Sequence, residues 1–129
     1  MTYTPEQISQ IVLKVLKEIE TPDVFKLSYD EKVKLAKDPN TPTETLAVLA
    51  TDVDSNVRRC VALNPNISKE TLAVLATDKD WGVRCWVAQH SNTSQETLNV
   101  LATDKDFYVR FCVALNYKKQ VLMTNEEHS

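Results

Sequence analysis

Charged residues that recur every 26 residues are the side chains of this sequence best suited to bind a ligand. Arg58, Arg84 and Arg110 each follow an Asp-x-Asp link. The links supply carboxylates on Asp52, Asp54, Asp78, Asp80, Asp104 and Asp106. The arginines could form an anion site, and the paired carboxylates a cation site. Identical placement in every unit favours a structural ladder instead, in which each arginine donates to a carboxylate of its own or the adjacent unit.

The charges recur because the chain repeats itself. There are three full units: 41–66, 67–92 and 93–118. Laid on one another, they have the same residue at 13 of 26 positions. Residues 28–40 form a half unit, because Glu31 to Asp38 align at the same offset with the second half of a full unit. Self-similarity at a fixed period of this size is typical of stacked repeats.

Each full unit is predicted to contain two short helices. Capping sequences mark the start of the first helix at Thr41 and at Thr93, and in the middle unit this role falls to Ser68 or Asn66. The second aspartate of each link is placed to cap the second helix. Such short helices are marginal alone, so their stability must come from packing against neighbouring units.

Both ends of the chain are predicted to be helical. A capping box at Thr4 starts a helix over 4–20 whose apolar residues recur at spacings of three and four. We expect it to act as an N-terminal cap, because the first unit would otherwise expose its stacking face. No helix breaker follows Tyr117, so the last helix is expected to continue through Val121 into a C-terminal extension, 119–129.

The stretch from Lys37 to Asn66 (KDPNTPTETLAVLATDVDSNVRRCVALNPN) resembles the leucine-rich repeat variant, a HEAT/armadillo-like helical repeat. The resemblance covers 28–118. It implies an all-α fold, a short right-handed α-solenoid (an alpha-alpha superhelix) of 26-residue two-helix repeats, here a single domain over 1–129. The second helix of each repeat can be α or 3₁₀. Such repeats generally serve as binding scaffolds. Some relatives carry a cysteine-rich iron–sulfur segment, which residues 1–59 lack because they contain no cysteine.

The positions that differ between units lie on one face of the second helix and become aromatic along the chain. At about 100° per residue, positions 55, 56, 59 and 63 and their equivalents share this face. The candidate partner-binding residues are Arg59, Trp81, Gln89, Phe107, Tyr108 and Phe111. The rings form either an exposed binding strip or packing between units. Trp86 lies toward the valine face and is expected to be core.

The cysteines Cys60, Cys85 and Cys112 are predicted to be small buried side chains. Cys60 and Cys112 share a repeat position two units apart, which is too far to bridge, and no CxxC motif is present. An odd number of cysteines fits a reducing compartment better than a disulfide framework, so the expected location is the cytoplasm. The sequence contains no apolar run that could span a membrane.

The predicted function is a non-enzymatic scaffold that binds a protein or peptide through the aromatic face. No nucleophile–base pair, paired acid or metal cluster is evident, so neither an enzyme nor a cofactor or metal is predicted. The net charge of −3 disfavours nucleic acid. A nucleic-acid-binding repeat that uses the arginines, with salt-sensitive binding, is one alternative. A self-associating structural protein is another, and a homo-oligomer is possible.

Overall fold

The computed structural model describes residues 2–18 and 24–127 of the chain. The described residues form α-helices and no strand, so the predicted all-α class is confirmed. The helices are α1 (Pro5–Glu18), α2 (Tyr29–Lys37), α3 (Thr43–Leu49), α4 (Ser55–Leu63), α5 (Lys69–Leu75), α6 (Trp81–Gln89), α7 (Gln95–Leu101) and α8 (Phe107–Glu127). A short 3₁₀ helix, Val24–Lys26, precedes α2.

The helix α1 starts at its predicted capping box. The backbone amide of Thr4 donates to Gln7 Oε1 at 2.9 Å, and the amide of Gln7 donates to Thr4 Oγ1 at 3.2 Å. The last two residues of the predicted helix 4–20 lie outside the described residues. Four apolar side chains of α1 are about half exposed: Ile8, Ile11, Val12 and Leu13. The capping role of α1 stays a prediction.

Equivalent helices start 26 residues apart and pack in chain order. The first helices α3, α5 and α7 begin at 43, 69 and 95, and the second helices α4, α6 and α8 begin at 55, 81 and 107. The second helices form a row in which α2 packs on α4, α4 on α6 and α6 on α8. Each first helix packs on the second helix of its own unit. All helices of the row are α-helical rather than 3₁₀.

The core consists of the same few repeat positions in every unit. The first helices contribute fully buried leucines: Leu46, Leu49, Leu72, Leu75, Leu98 and Leu101. The second helices contribute fully buried valines: Val57, Val61, Val83, Val87 and Val109. Burial of each such side chain contributes about 1.5–3 kcal/mol, which is what holds helices of seven to nine residues together.

Short polar side chains cap the helices. Asp54 accepts the amide of Asn56 and Asp80 accepts that of Val83, which confirms the predicted caps of α4 and α6. Ser68 caps α5 by accepting an amide, so the cap of the middle unit falls to the serine and not to Asn66.

The predicted caps at Thr41 and Thr93 are wrong. The helix α3 begins after Pro42 without a side-chain cap, and α7 is capped by Ser94. Both threonines are buried, and each donates its hydroxyl at 2.6 Å to a carbonyl oxygen near the end of the preceding second helix. The hydroxyl therefore hydrogen-bonds to a carbonyl group at the C-terminal end of the previous helix and does not cap the N-terminus of the next one.

A polar ladder joins the C-terminal ends of the second helices. Asn64 Nδ2 donates to two carbonyl oxygens at the end of α2, at 2.7 and 2.9 Å, and Asn116 makes the equivalent bonds to the end of α6. His90, which replaces asparagine in the middle unit, bonds to Asn64 O through Nε2 at 2.9 Å. Its Nδ1 accepts a backbone amide, which assigns the ring proton to Nε2. These bonds satisfy carbonyl groups that helix ends leave open.

The last helix is longer than its equivalents. Pro65 follows the end of α4, whereas α8 continues to Glu127 and includes Val121 as expected. Residues 128–129 of the predicted extension lie outside the described residues.

Candidate partner-binding site

The arginines at the repeated position bridge one unit to the next. Arg58 donates from Nε and Nη2 to the two carboxylate oxygens of Asp78, at 2.7 and 3.1 Å. Arg84 does the same with Asp104, at 2.9 and 3.2 Å. The third nitrogen, Nη1, donates at 2.8 Å to a link carbonyl of the arginine's own unit in both cases. Each guanidinium therefore hydrogen-bonds both to a carbonyl group of the link in its own unit and to a carboxylate of the link in the next unit.

A further rung of this ladder escaped the sequence reasoning. Lys32 Nζ lies 2.7 Å from Asp52 Oδ2. Lys32 precedes Arg58 by 26 residues, so it occupies the arginine position of the half unit. The 26-residue offset could have predicted this ion pair, but the half unit has lysine where the full units have arginine, so the equivalence was not recognised.

The hydrogen bonds and ion pairs of the ladder shift the pKa values of its side chains. The hydrogen bond with Asp78 raises the pKa of Arg58 above its ordinary value. Burial alone would raise the pKa of Asp104, but the hydrogen bonds from Arg84 and from a backbone amide outweigh it and lower that pKa. Asp52 has its pKa lowered in the same way, against burial, by Lys32. The charged forms of these groups are therefore favoured in the folded chain.

Two arginines of the ladder are closed to outside ligands. Arg58 is 6% exposed and Arg84 is 5% exposed, and both have a bidentate carboxylate partner. They cannot receive an external anion without losing that partner. Among the residues that the structure describes, no group of His, Cys, Asp or Glu side chains is arranged to hold a metal ion.

Arg59, a predicted partner-binding residue, is tied into a second kind of bridge. Its Nε and Nη2 lie 2.8 and 3.1 Å from the carboxylate oxygens of Asp80. This hydrogen bond raises the pKa of Arg59 and lowers that of Asp80. The guanidinium lies against Gly82, where an added Cβ would come within 2.8 Å of it. Gly82 thus makes room for the pair, and Arg59 can offer a partner only its part-exposed edge.

Four predicted residues form one aromatic cluster, which comprises Trp81, Phe107, Tyr108 and Phe111. The ring centroids of Trp81 and Tyr108 are 5.6 Å apart. Those of Phe107 and Tyr108 are 5.9 Å apart with an edge-on arrangement. Phe107 and Phe111 are stacked at 6.3 Å. These separations are typical of favourable aromatic pairs, so the four rings form a continuous chain from the start of α6 onto α8.

The rings of the aromatic cluster face solvent. Trp81 is 48% exposed, Phe107 64%, Tyr108 60% and Phe111 49%. The alternative left open by the sequence, in which neighbouring units bury these rings, does not describe this structure. Contiguous exposed apolar surface of this kind is typical of contact sites.

Gln89 and Trp86 lie outside the aromatic cluster. Gln89 is half-buried, with Nε2 at 3.2 Å from Cys112 Sγ. The prediction that Trp86 is core is wrong, because the side chain is 38% exposed and lines a surface cleft with Gln89 and His90. Trp86 occupies the repeat position of Cys60, which is also only half-buried, so this position does not lie in the core of every unit.

The cysteines also differ from expectation. Cys85 and Cys112 are buried as predicted, but they form a disulfide between α6 and α8, with a Cα–Cα distance of 5.7 Å, which the sequence did not lead us to expect. Comparing the equivalent positions Cys60 and Cys112 did not reveal this pair. Cys85 of α6 lies opposite Cys112 of α8, which is one residue beyond the position equivalent to Cys85. Cys60 is a half-buried free thiol, and burial raises its pKa.

Arg110 is the one predicted ladder arginine that lacks a carboxylate among the described residues. It is exposed, its Nη1 donates to Asp104 O at 2.6 Å, and its Cζ lies 5.8 Å from the ring centroid of Phe107. Its Nε and Nη2, which bind an aspartate in Arg58 and Arg84, have no hydrogen-bond partner among the described residues. Asp54 and Asp106 cap helices through backbone amides.

Comparison of this chain with protein-family models, with curated proteins and with solved structures finds no match. None of the helices within 2–18 and 24–127 has both the length and the apolar character needed to cross a bilayer. The geometry described above is therefore the basis for inferring a function.

Proposed function

We propose that the protein is a non-enzymatic scaffold that binds a protein or peptide through the aromatic cluster. The observation that carries the proposal is the exposure of four contiguous rings: Trp81, Phe107, Tyr108 and Phe111. Aromatic residues concentrate binding energy at protein interfaces. Arg59 and Asp80 supply a charged rim next to Trp81, and Gln89 lies farther along α6.

The proposed scaffold is a short right-handed α-solenoid of 26-residue repeats of the leucine-rich-repeat-variant type. Two features support it. Equivalent helices start 26 residues apart, and the second helices pack in chain order. The rungs Lys32–Asp52, Arg58–Asp78 and Arg84–Asp104 tie each unit to the next in the same register. Nearest-neighbour bonding of this kind is typical of repeat proteins.

The contacts of the reactive side chains support a non-enzymatic role without a cofactor. The sulfur atoms of Cys85 and Cys112 are bonded to each other. Both ring nitrogens of His90 are engaged by backbone groups. These contacts leave neither the thiols of Cys85 and Cys112 nor the ring nitrogens of His90 open for the nucleophile and base roles of acyl or phosphoryl transfer.

The ladder contacts weigh against the nucleic-acid alternative. Phosphate binding needs open basic groups, and Arg58 and Arg84 are buried against Asp78 and Asp104. Self-association through the exposed rings remains a competing use of the same surface, and sedimentation velocity distinguishes it from binding to another protein.

The cytoplasmic location stays a prediction. It was based on an odd number of cysteines, which fits a reducing compartment, and the Cys85–Cys112 disulfide weakens that basis. Disulfides persist mainly in oxidising compartments. Alkylation of the native protein before and after reduction reports whether Cys85 and Cys112 are bonded to each other in the cell.

The experiment that tests the proposed function is affinity capture from a native extract of the source cells. The baits are the full chain and its Trp81→Ser and Phe107→Ser variants. The matched control is Val53→Ser, because Val53 is apolar and 92% exposed but lies outside the aromatic cluster. We expect the wild type and the control to recover the same protein, and the two ring variants to lose it by a factor of about 10–30, as for interface hot spots.

Two results would contradict the proposal. Equal recovery by all four baits would show that the rings do not bind the partner. A large loss of stability in Trp81→Ser and Phe107→Ser, measured by thermal unfolding against Val53→Ser, would show that the rings are structural.

A further inference from the structure

We propose that a surface cleft beside Trp86 binds the C-terminal residue of a peptide whose last side chain is aromatic. The cleft has a volume of about 410 Å³, and its lining includes Leu63, Pro65, Trp86, Gln89, His90 and Lys119. None of these residues belongs to the aromatic cluster. The site therefore goes beyond the proposed function and can be tested apart from it.

The first observation is that the cleft lies where the middle unit departs from its two neighbours. The first and third units share Cys, Leu and Asn at three positions in the second half of the unit. The middle unit has Trp86, Gln89 and His90 at these positions, and all three line the cleft. Val87 and Ala88, which lie between them, keep the repeat residues and are fully buried. The departures therefore change the surface of this unit and preserve its core.

The second observation is the apolar part of the lining. Trp86 is 38% exposed, Leu63 is 49% exposed, and Pro65 lines the cleft with them. The face of an indole ring pairs favourably with another aromatic ring. Ligand sites of about 300–1,000 Å³ commonly combine such apolar walls with a few polar groups, and the volume of this cleft lies in that range. The cleft therefore suits an aromatic side chain.

The third observation is an unpaired positive charge. Lys119 is exposed and has no carboxylate partner within the part of the chain that the structure describes. None of the described residues that line the cleft is an aspartate or a glutamate. The ring of His90 is neutral, because its Nδ1 accepts a backbone amide. A carboxylate on the ligand complements the ammonium group of Lys119.

The fourth observation is the orientation of the Gln89 amide. Its Nε2 lies 3.2 Å from Sγ of Cys112, and a disulfide sulfur has no proton to donate, so the NH₂ group faces the sulfur. Oε1 accepts no hydrogen bond from the described residues and is left for an N–H donor of the ligand. The last residue of a peptide carries a side chain, a backbone N–H and a carboxylate on one carbon atom. An aromatic C-terminal residue thus matches Trp86, Gln89 and Lys119 together.

The test is an NMR titration of the isotopically labelled full-length protein with N-acetylphenylalanine, which carries all three groups. The indole N–H signals of the two tryptophans report the site, and the Trp81→Ser variant assigns them. We expect a saturable shift of the Trp86 signal and none of the Trp81 signal. Lys119→Gln should weaken binding by about fivefold, because an ion pair with the carboxylate is lost. The matched control Lys118→Gln removes the same charge one residue away and outside the cleft, and should leave the affinity unchanged.

Three further probes each lack one group of N-acetylphenylalanine. N-acetylphenylalaninamide lacks the carboxylate and should bind about fivefold more weakly. N-acetylalanine lacks the ring and should bind about tenfold more weakly or worse. Hydrocinnamate lacks the N–H and should lose about fivefold. Gln89→Leu, which installs the leucine of the neighbouring units, should weaken N-acetylphenylalanine to the same degree and leave hydrocinnamate unchanged.

Each contrary outcome has a clear meaning. Absence of a saturable Trp86 shift, or equal weakening by Lys118→Gln and Lys119→Gln, overturns the inference. Equal affinity for the amide probe or for N-acetylalanine also overturns it, because the carboxylate or the ring is then not recognised. Hydrocinnamate bound as tightly as N-acetylphenylalanine would mean that the occupant is a free aromatic acid and not a peptide end.

The Trp81→Ser variant separates this site from the proposed function. It should bind N-acetylphenylalanine as the wild type does, whereas it should lose the protein captured through the aromatic cluster. Loss of probe binding in this variant would place the probe on the aromatic cluster and overturn the cleft. Failure of the cleft and failure of the aromatic cluster are therefore distinguishable.

Discussion

The interior helices α4 and α6 and the last helix α8 carry the same Val-Arg-x-x-Val-Ala sequence in different surroundings. In α4 and α6 the arginine is buried and holds the next unit through an aspartate. In α8 the same residue is exposed beside the aromatic cluster. The local sequence does not distinguish the two roles, because the neighbour that follows decides whether the arginine is structural or available to a partner.

The same comparison shows how the last unit is held. The helices α4 and α6 each pack between two neighbours of the row, whereas α8 packs on α6 alone within the row among the described residues. The Cys85–Cys112 disulfide fastens α8 to α6, and no such bond joins α4 to α6. The disulfide therefore stabilises the position of α8, which packs against the row on one side only and exposes apolar rings.

The largest expected effect comes from removal of an interior arginine. Arg84→Ala leaves the half-buried carboxylate of Asp104 without its partner and should lower the free energy of unfolding by about 3–5 kcal/mol. Arg110→Ala should change it by less than about 0.5 kcal/mol, as is usual for exposed residues. Urea unfolding of the two variants measures both. Equal losses would mean that Arg110 also has a buried partner.

The disulfide should have the next largest effect. The Cys85→Ser, Cys112→Ser double variant should lose about 2–4 kcal/mol of stability, because the unfolded chain is no longer cross-linked. Alkylation without reductant should label Cys60 alone, and with reductant all three cysteines. Labelling of three thiols in the unreduced native protein would contradict the bonded state of α8.

A matched pair of alanines tests the packing difference alone. Ala88 is fully buried and Ala114 is exposed at the same repeat position. Ala88→Leu should cost about 1–3 kcal/mol through overpacking, while Ala114→Leu should be nearly neutral. Thermal unfolding of both variants checks the contrast. A comparable loss of stability in Ala114→Leu would show that Ala114 is packed against a neighbouring group.

The smallest expected effect is on the pH dependence. Asp52, Asp80 and Asp104 have lowered pKa values in the folded state, so their contribution is complete above the ordinary aspartate pKa and is lost as the pH falls through the lower folded value. The urea midpoint should be steady from about pH 7 to 5 and fall below about pH 4. Asp104→Asn should remove part of that fall, on the order of 1 kcal/mol. An unchanged fall would exclude Asp104 as a contributor.

Local signals predicted the helices well and the contacts between units poorly. The capping residues at Asp54, Asp80 and Ser68 follow from spacing within one unit, since a cap bonds to its own helix. The choice of the next unit's aspartate by each ladder arginine and the Cys85–Cys112 bond depend on how one helix is offset against the next. That offset is set by packing and has no local sequence signal.

The most direct test of the contrast between closed and open arginines is limited modification with phenylglyoxal, followed by mass spectrometry of the four arginines. The account predicts rapid labelling of Arg110, slower labelling of Arg59, and protection of Arg58 and Arg84 in the folded protein. Equal labelling of Arg84 and Arg110 would contradict it, because the interior and the last unit would then present the same surface.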